Sequence, residues 1–353
     1  MRVGEILLQN NDIMRILQAP TEIAGQMALL SEHLRKLGHK CTAYNFRSDI
    51  KIEKRAGVNI PVSSYQSVTA RLLRALFFIY ALPNYDYFHF HYGRTFLPKR
   101  LDIAILKLFN KKIILHFHGA DVGNVDGIYY KNDKLLGLIE GKSIPPTVTE
   151  EQKKLILQTR KYADLVLVST PDLLDVMREA VYFPNSLPRF EGKNLRSPEK
   201  KNQHIIIVHA PTNRRKKGTD LIVKVISKLL KEKTSIEFKL IENTDYYKAR
   251  RIYQGADIAI DQLLQGWYGV FSIEMMALGK PVLCYIRDDL KRKYAPSLPV
   301  VPTNPTSLYK DLKNLISDAV LRKELGERGR RYVVENHSPE KQVKELVKLY
   351  KSL

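Results

Sequence analysis

Residues 266–286 combine a glycine loop, a short helix and a buried strand in a spacing suited to phosphate and sugar chemistry. Gly266 and Gly269 allow the backbone to approach a ligand closely, and a helix is predicted to begin near Val270. The first N–H groups of a helix have no partner inside it, and together with the helix dipole they favour phosphate. Glu274 lies about one turn into this helix, where its carboxylate can accept hydrogen bonds from ribose or sugar hydroxyls. The segment therefore predicts a nucleotide-sugar site.

A basic loop at residues 214–218 is the second candidate, because it follows a predicted strand at residues 204–208 and precedes a helix. Open α/β folds bind ligands at the carboxyl edge of the sheet, where this loop is expected to lie. Arg214, Arg215 and Lys217 supply positive charge, and guanidinium groups can bind phosphate oxygens in pairs. A solvated loop without a ligand is the alternative. We favour neutralisation of a departing diphosphate by Lys217 and one of the two arginines.

Two carboxylates near this edge need partners. Glu274 has apolar neighbours in the chain, so we expect it to bind ribose, with Lys217 as the alternative partner. Asp261 follows the predicted strand at residues 257–260, which places it beside the base or the sugar. The alternative role for Asp261 is to cap a short turn.

Histidines follow two strands of the first half of the chain. Alternation along the predicted strand 113–117 puts His116 and His118 on one side, with Asp121 just beyond. His116, His118 and Asp121 are three potential metal ligands close together in the sequence, which could indicate a metal site. No cysteine or carboxylate cluster accompanies them, so we predict no metal. Asp121 is expected to orient His118 or an acceptor hydroxyl.

Three further residues are weaker candidates at the same edge. His91 and Arg94 lie at the end of the predicted strand 87–91 and are expected on the acceptor side, although a structural role is equally open for each. Gly25 joins the first strand to its helix, a position where glycine is also common without a ligand.

The segment around Glu274 resembles the donor-site motif of the retaining family 4 glycosyltransferases, which have the GT-B fold. Glu274 matches the second glutamate of that motif, and residues 276–282, Met-Ala-Leu-Gly-Lys-Pro-Val, match its tail. Gly266 stands where the family has its first glutamate, which lies near the transferred sugar. The loop with Arg214, Lys217 and Gly218 resembles the family's Arg and Lys-Gly element.

The resemblance implies an α/β protein with two Rossmann-like domains that face each other across a cleft. It implies an N-terminal acceptor domain at residues 1–188, a C-terminal donor domain at residues 189–336 and a helix at residues 337–353 that crosses back. It further implies transfer of a sugar from a nucleoside diphosphate to an acceptor hydroxyl, with retention, in cell-surface polysaccharide or glycolipid synthesis. No cofactor or metal is implied. His118, Lys217 and Glu274 are the implied catalytic residues, with Gly25 near the donor phosphate.

The elements that must position these residues alternate along the chain, as in parallel sheets covered by helices. Prolines and charges crowd residues 182–203, which we interpret as the linker, and residues 1–13 as an extension. Strands are predicted at residues 15–19, 41–46, 87–91, 113–117, 165–169, 204–208, 236–241, 257–261 and 282–286, and amphipathic helices at 26–37, 219–232 and 339–353.

Composition bounds the class of protein. The 353 residues contain 58 Lys and Arg against 37 Asp and Glu, a net charge of +21 that indicates an anionic partner. The only cysteines, Cys41 and Cys284, fall in predicted strands and favour a reducing compartment. Residues 1–14 lack a signal pattern and no apolar run approaches the roughly 20 residues of a membrane span. We therefore expect a cytoplasmic protein, and leave open a place on the inner face of the membrane.

The helical segment at residues 64–80 bears on that second location. Arg71 and Arg74 lie among strongly apolar residues, which fits either a domain helix with snorkelling arginines or a helix on an anionic membrane surface.

Three other functions are alternatives to a glycosyltransferase. A nucleotide-sugar epimerase needs acid–base carboxylates that the sequence does not place. A nucleic-acid-binding protein would explain the charge, but no recognised module is present and the basic residues are spread out, which argues against it. A catalytically degenerate transferase homologue would explain Gly266.

Overall fold

Two parallel β-sheets form the framework of the protein. The computed structural model describes residues 13–46, 58–60, 66–119, 121–122, 149–188 and 204–353. The predicted N-terminal extension lies outside these residues apart from Ile13. Within the described residues the first sheet has seven strands in the order β3-β2-β1-β4-β5-β6-β7. They are β1 (Arg15–Ala19), β2 (Lys40–Asn45), β3 (Val58–Asn59), β4 (Tyr87–His91), β5 (Lys112–Phe117), β6 (Leu165–Val168) and β7 (Val181–Tyr182).

The second sheet contains five strands among the described residues, in the order β12-β11-β10-β8-β9. Every strand pair in both sheets is parallel. The strands are β8 (Ile205–His209), β9 (Ile236–Leu240), β10 (Ile258–Ile260), β11 (Val282–Cys284) and β12 (Val301–Pro302).

Helices connect the strands and cover the sheets. In α6, for example, Ile222, Ile226 and Leu229 are buried against Ile207 and Ile260 of the second sheet. No helix in the described part of the chain combines the length and apolar character needed to span a bilayer. The helices are α1 (Gln26–Lys36), α2 (Val68–Asn84), α3 (Leu101–Leu108), α4 (Glu150–Tyr162), α5 (Arg214–Lys217), α6 (Thr219–Lys231), α7 (Tyr246–Gly255), α8 (Val270–Ala277), α9 (Asp288–Tyr294), α10 (Leu308–Ser317), α11 (Ala319–Asn336) and α12 (Pro339–Lys351).

The C-terminal helix α12 returns to the first sheet. It packs against α1, and its buried residues Val343, Leu346 and Tyr350 share a core with Ile16 and Ile114. This arrangement confirms the crossing helix that the sequence predicted.

Helix α2 has one buried face and one exposed apolar face. Arg74 is buried and its Nε donates to the Phe96 carbonyl at 3.1 Å, so the expected snorkelling of this arginine is wrong. Val68, Leu72 and Ile79 are 80%, 60% and 69% exposed. The helix therefore presents apolar side chains where a domain helix usually presents polar ones.

All nine predicted strands are present, with ends that differ by two residues at most. The predicted linker begins too early, because Tyr182 closes β7 by pairing with Val168 of β6. Residues 189–203 lie outside the described residues, so the domain boundary at residue 188 stays a prediction.

Candidate functional site

Each sheet has one point where the order of the strands reverses, and the candidate residues follow the strands on either side of it. In the second sheet this point lies between β8 and β10, and in the first between β1 and β4. Ligands of open α/β sheets bind outside the carboxyl ends of the strands at such points. Lys217 comes after β8 and Asp261 directly after β10. The topology alone therefore brings these two residues together.

Lys217 and Asp261 form an ion pair. The Lys217 Nζ lies 2.5 Å from Asp261 Oδ1, and the two side chains are only 12% and 1% exposed. Lys217 is the last residue of α5, and Gly218 follows it in the left-handed conformation, with φ of 74°. A Cβ on Gly218 would crowd Leu263 and Leu264, so glycine suits both the turn and the space.

Asp261 also binds the beginning of α8. Its Oδ2 accepts hydrogen bonds from the Gly269 N–H at 3.0 Å and the Ser272 hydroxyl at 2.6 Å. Burial by itself raises the pKa of Asp261, but the charge of Lys217 and these hydrogen bonds outweigh burial and hold the pKa below its usual value. Asp261 is therefore a carboxylate anion bound by Lys217 and the N-terminus of α8, the groups that the sequence predicts to bind phosphate.

Glu274 is buried in the second turn of α8, and the Tyr246 hydroxyl donates to its Oε1 at 2.6 Å. The expected alternative, a pair with Lys217, is not what forms, since the Lys217 ammonium lies on Asp261. Sequence reasoning missed Tyr246, which begins α7 and carries no motif.

The two arginines of the basic loop are exposed. Arg214 pairs with Glu242 at 2.7 Å and with Asp220 at 3.1 Å, whereas Arg215 lies beside it on the solvent side. In contrast to the two arginines, Lys217 has a side chain that is only 12% exposed.

Gly266 lies against a protein side chain, and its close approach to a ligand stays a prediction. A Cβ there would lie 2.5 Å from the Arg287 Cδ, so the glycine makes room for that buried side chain. Arg287 in turn pairs with Asp289 and with Asp175 of the first domain. Gly269 differs, because a Cβ there would meet Asp261 and Lys217 at an ordinary contact distance of 3.5 Å. Val270 is the first residue of α8.

Gly25 is the N-cap residue just before α1, with a φ of 75°, but the N-terminus of that helix is already occupied. Glu22 accepts hydrogen bonds from the N–H groups of Ile23, Met27 and Ala28 at 2.9–3.0 Å. The structure therefore places a carboxylate of this chain at the predicted phosphate-facing end of α1.

His118 lies at the carboxyl edge of the first sheet beside His91. The His91 Nδ1 and His118 Nε2 are 3.1 Å apart, and the His91 Nε2 is 3.0 Å from Gln18 Oε1. His91 is fully buried, so the structure places it behind His118 and not on an acceptor surface. Burial lowers the pKa of His118 to about 3, and its ring is neutral at pH 7.

Asp121 holds the loop after β5. It accepts hydrogen bonds from the backbone N–H groups of His118 and Gly119, the shorter ones at 3.0 and 2.8 Å, and not from the His118 ring. Burial raises the pKa of Asp121 to about 6, against the effect of these hydrogen bonds. Arg94 lies with its guanidinium 5.6 Å from the Tyr92 ring centre.

A cavity of about 410 Å³ is lined by Tyr182, Tyr268, Tyr332 and His337, among others. None of the predicted site residues lines it. We give it less weight than the carboxyl edges, because it does not bring together the switch-point residues.

Comparison with known proteins establishes the fold. No protein-family model and no curated protein sequence matches the chain. Among solved structures, sucrose-phosphate synthase from Thermosynechococcus elongatus is similar with a TM-score of 0.68 and 14% identity, over 96% of this chain and 98% of that one. HepE from Anabaena, solved with UDP-glucose, is similar with a TM-score of 0.64 and 11% identity, over 96% and 100%. A Rickettsia africae glycosyltransferase is similar with a TM-score of 0.61 and 17% identity, over 96% and 98%.

The fold is GT-B. This confirms the predicted fold class, and at these identities the likeness shows the fold alone. In the GT-B arrangement the two carboxyl edges described above, one carrying His118 and the other Lys217, belong to the two facing domains.

Proposed function

We propose that the chain is a glycosyltransferase that moves a sugar from a nucleoside-diphosphate donor to a hydroxyl of a carbohydrate or lipid-linked acceptor. The observation that carries the proposal is the anion site at the switch point of the second sheet. There Lys217, the Gly269 N–H and the Ser272 hydroxyl converge on one carboxylate, that of Asp261. A departing diphosphate needs the same donors.

The proposed chemistry assigns one task to each residue. Negative charge develops on the diphosphate as the bond to the sugar breaks, and Lys217 with the first turn of α8 stabilises it. Glu274, oriented by Tyr246, binds the ribose hydroxyls. The neutral His118 faces the sugar, where a ring nitrogen can bond a hydroxyl without adding charge. Closure of the cleft would exclude water.

The resemblance to family 4 favours retention at the anomeric carbon, and synthesis of cell-surface polysaccharide or glycolipid. Gly266 has no side chain where the family has a glutamate, and Arg287 fills the space beside it, next to the proposed sugar position. HepE was solved with UDP-glucose, so UDP-sugars are the first donors to test.

The exposed face of α2 supports a place on an anionic membrane surface for acceptors linked to lipid. Leu72, Leu76 and Ile79 are 60%, 55% and 69% exposed, and the chain carries a net charge of +21. Cosedimentation with vesicles containing phosphatidylglycerol should decrease when these three residues are changed to serine. Equal binding by the variant and the parent protein would exclude α2 as the membrane contact.

The experiment for the proposed function is a screen of UDP-, GDP- and ADP-sugars by thermal shift and by release of free sugar, with Glu274→Ala beside the wild type. We expect one nucleotide to stabilise the wild type, release its sugar slowly, and lose both effects in the variant. Binding without sugar release, even with a range of acceptors, would favour the degenerate homologue. Absence of both would overturn the proposal.

A further inference from the structure

Four histidines lie side by side on one face of the first sheet. His89 and His91 belong to β4, His116 belongs to β5, and His118 follows it. The ring centres of His89 and His91 are 4.3 Å apart, and those of His116 and His118 are 4.2 Å apart. The parallel register that pairs His91 with His116 brings the two histidine pairs together.

One series of side-chain contacts runs from the C-terminal helix into this histidine cluster. The Tyr350 hydroxyl lies 2.6 Å from His89 Nδ1, and His89 Nε2 lies 3.3 Å from His116 Nδ1. This series ends at His116 Nε2, which is buried without a hydrogen-bond partner.

A second series of contacts runs from β1. Gln18 Oε1 lies 3.0 Å from His91 Nε2, and His91 Nδ1 lies 3.1 Å from His118 Nε2. Because an amide oxygen can only accept, the His91 Nε2 carries the proton and its Nδ1 presents a lone pair. This second series of contacts ends at His118 Nδ1, which also has no hydrogen-bond partner.

We propose that His89, His91 and His116 bind one transition-metal ion of the zinc type inside the first domain. One ring nitrogen of each residue lies within 4.8 Å of those of the other two. Around a tetrahedral ion with bonds of about 2.0–2.1 Å, ligand nitrogens lie roughly 3.3 Å apart. The His89 Nε2 and His116 Nδ1 already have that separation, at 3.3 Å.

The donor set selects the class of ion. Three imidazoles suit Zn²⁺, Co²⁺, Ni²⁺ or Cu²⁺, whereas Mg²⁺ and Ca²⁺ need oxygen ligands. To bind the ion through His89 Nε2 and His116 Nδ1, these rings must carry their protons on His89 Nδ1 and His116 Nε2. Neutral rings in these tautomers release no proton when the metal binds.

Two further side chains orient the ligands. The Tyr350 hydroxyl would accept from His89 Nδ1, and Gln18 accepts from His91 Nε2, which is how metal-bound histidines are usually held. Ligands adjacent in the sequence, His116, His118 and Asp121, gave no reason to predict a metal. The register of β4 and β5 brings together the three histidine ligands, which are far apart in the sequence.

The site is independent of the proposed function, because its ligands and supports belong to the first sheet and to α12. The test titrates Co²⁺ into tag-free, chelator-treated protein and measures the visible absorption bands of Co²⁺ in a site of low symmetry. Competition with Zn²⁺ and analysis of the total metal content complete the test. We expect one ion per chain. His91→Asn and His116→Gln should lose it, and Tyr350→Phe should weaken it about 10- to 100-fold.

Two controls separate this site from general histidine binding. His209→Gln changes a buried histidine at the end of β8, and His118→Asn changes the neighbour that we leave outside the ligand set; both should keep the ion. Tyr350→Phe removes only a hydroxyl, so it stays informative if a histidine variant fails to fold. The proposal is overturned if the wild type binds no more ion than a variant lacking all three histidines, or if His118→Asn abolishes binding.

Discussion

The Lys217 ammonium and the Asp261 carboxylate lie 2.5 Å apart at the edge where the diphosphate is proposed to bind. Asp261 binds the same cation and helix N-terminus that a phosphate would use. A buried charge left without its partner is costly, so this pair holds the Lys217 side chain in place. The donor must then share Lys217 with Asp261 or displace it.

Replacement of Lys217 by alanine should weaken binding of the stabilising nucleoside diphosphate by about 10- to 100-fold, because a charged hydrogen bond to phosphate is lost. Lys216→Ala is the matched control, since it removes the same charge from the same short helix. Isothermal titration calorimetry measures both. Equal losses would mean that only the net charge of the loop matters.

Asp261→Asn should have two opposite effects. The melting temperature should fall, because Lys217 loses its counter-charge, and the nucleoside diphosphate should bind more tightly, because a competing anion is gone. Asp257→Asn changes a carboxylate at the other end of β10, whose Oδ2 accepts from the Ile206 N–H at 2.7 Å. It should lower stability without tighter binding. Weaker binding in Asp261→Asn would contradict competition.

Tyr246→Phe should weaken nucleotide binding several-fold, because Glu274 loses the hydroxyl that orients its carboxylate. Tyr247→Phe is the control, as the next residue on α7 is 47% exposed. If Glu274 binds ribose, the Tyr246 variant should also discriminate less against the 2′-deoxy nucleotide. Unchanged discrimination would place the ribose elsewhere.

Stability should fall in mild acid. A histidine whose folded pKa is depressed takes up a proton on unfolding below about pH 6.5, so each costs about 1 kcal/mol of unfolding free energy between pH 6.5 and 5.5. The raised pKa values of Asp102 and Asp121, about 6, and the raised pKa of Asp172 act in the opposite direction, because the folded state binds those protons more tightly. Six histidines with lowered pKa values outweigh three carboxyls with raised ones. The six are His89, His91, His116, His118, His209 and His337.

Thermal unfolding with a chelator present, at pH 7.5, 6.5 and 5.5, measures this loss. His118→Gln should reduce it by removing one such group, whereas His204→Gln, at an exposed position, should not. A melting temperature that is constant over this range would show that the histidines are not held neutral.

Local pattern was enough to predict the strands. The observed bounds of Arg15–Ala19 and Tyr87–His91 are those predicted, because parallel strands buried on both faces appear as short apolar runs between turn residues. The motif around Glu274 placed α8 correctly, beginning at Val270.

Contacts between distant elements were not predictable in the same way. Tyr246 on Glu274 joins two helices, and Tyr350 on His89 joins residues 261 positions apart. Gly266 has the appearance of a ligand-facing glycine in sequence, yet the space beside it belongs to Arg287, which only the folded chain reveals. Asp261 was placed at the correct edge, but its bond to Lys217 depends on the strand order β10-β8.

The most direct test of the central claim is a crystal structure with the nucleoside diphosphate that stabilises the protein. The account predicts phosphate oxygens within about 2.7–3.2 Å of the Lys217 Nζ and the Val270 N–H, with the ribose hydroxyls on Glu274. A diphosphate bound elsewhere, with Lys217 still on Asp261 alone, would contradict it.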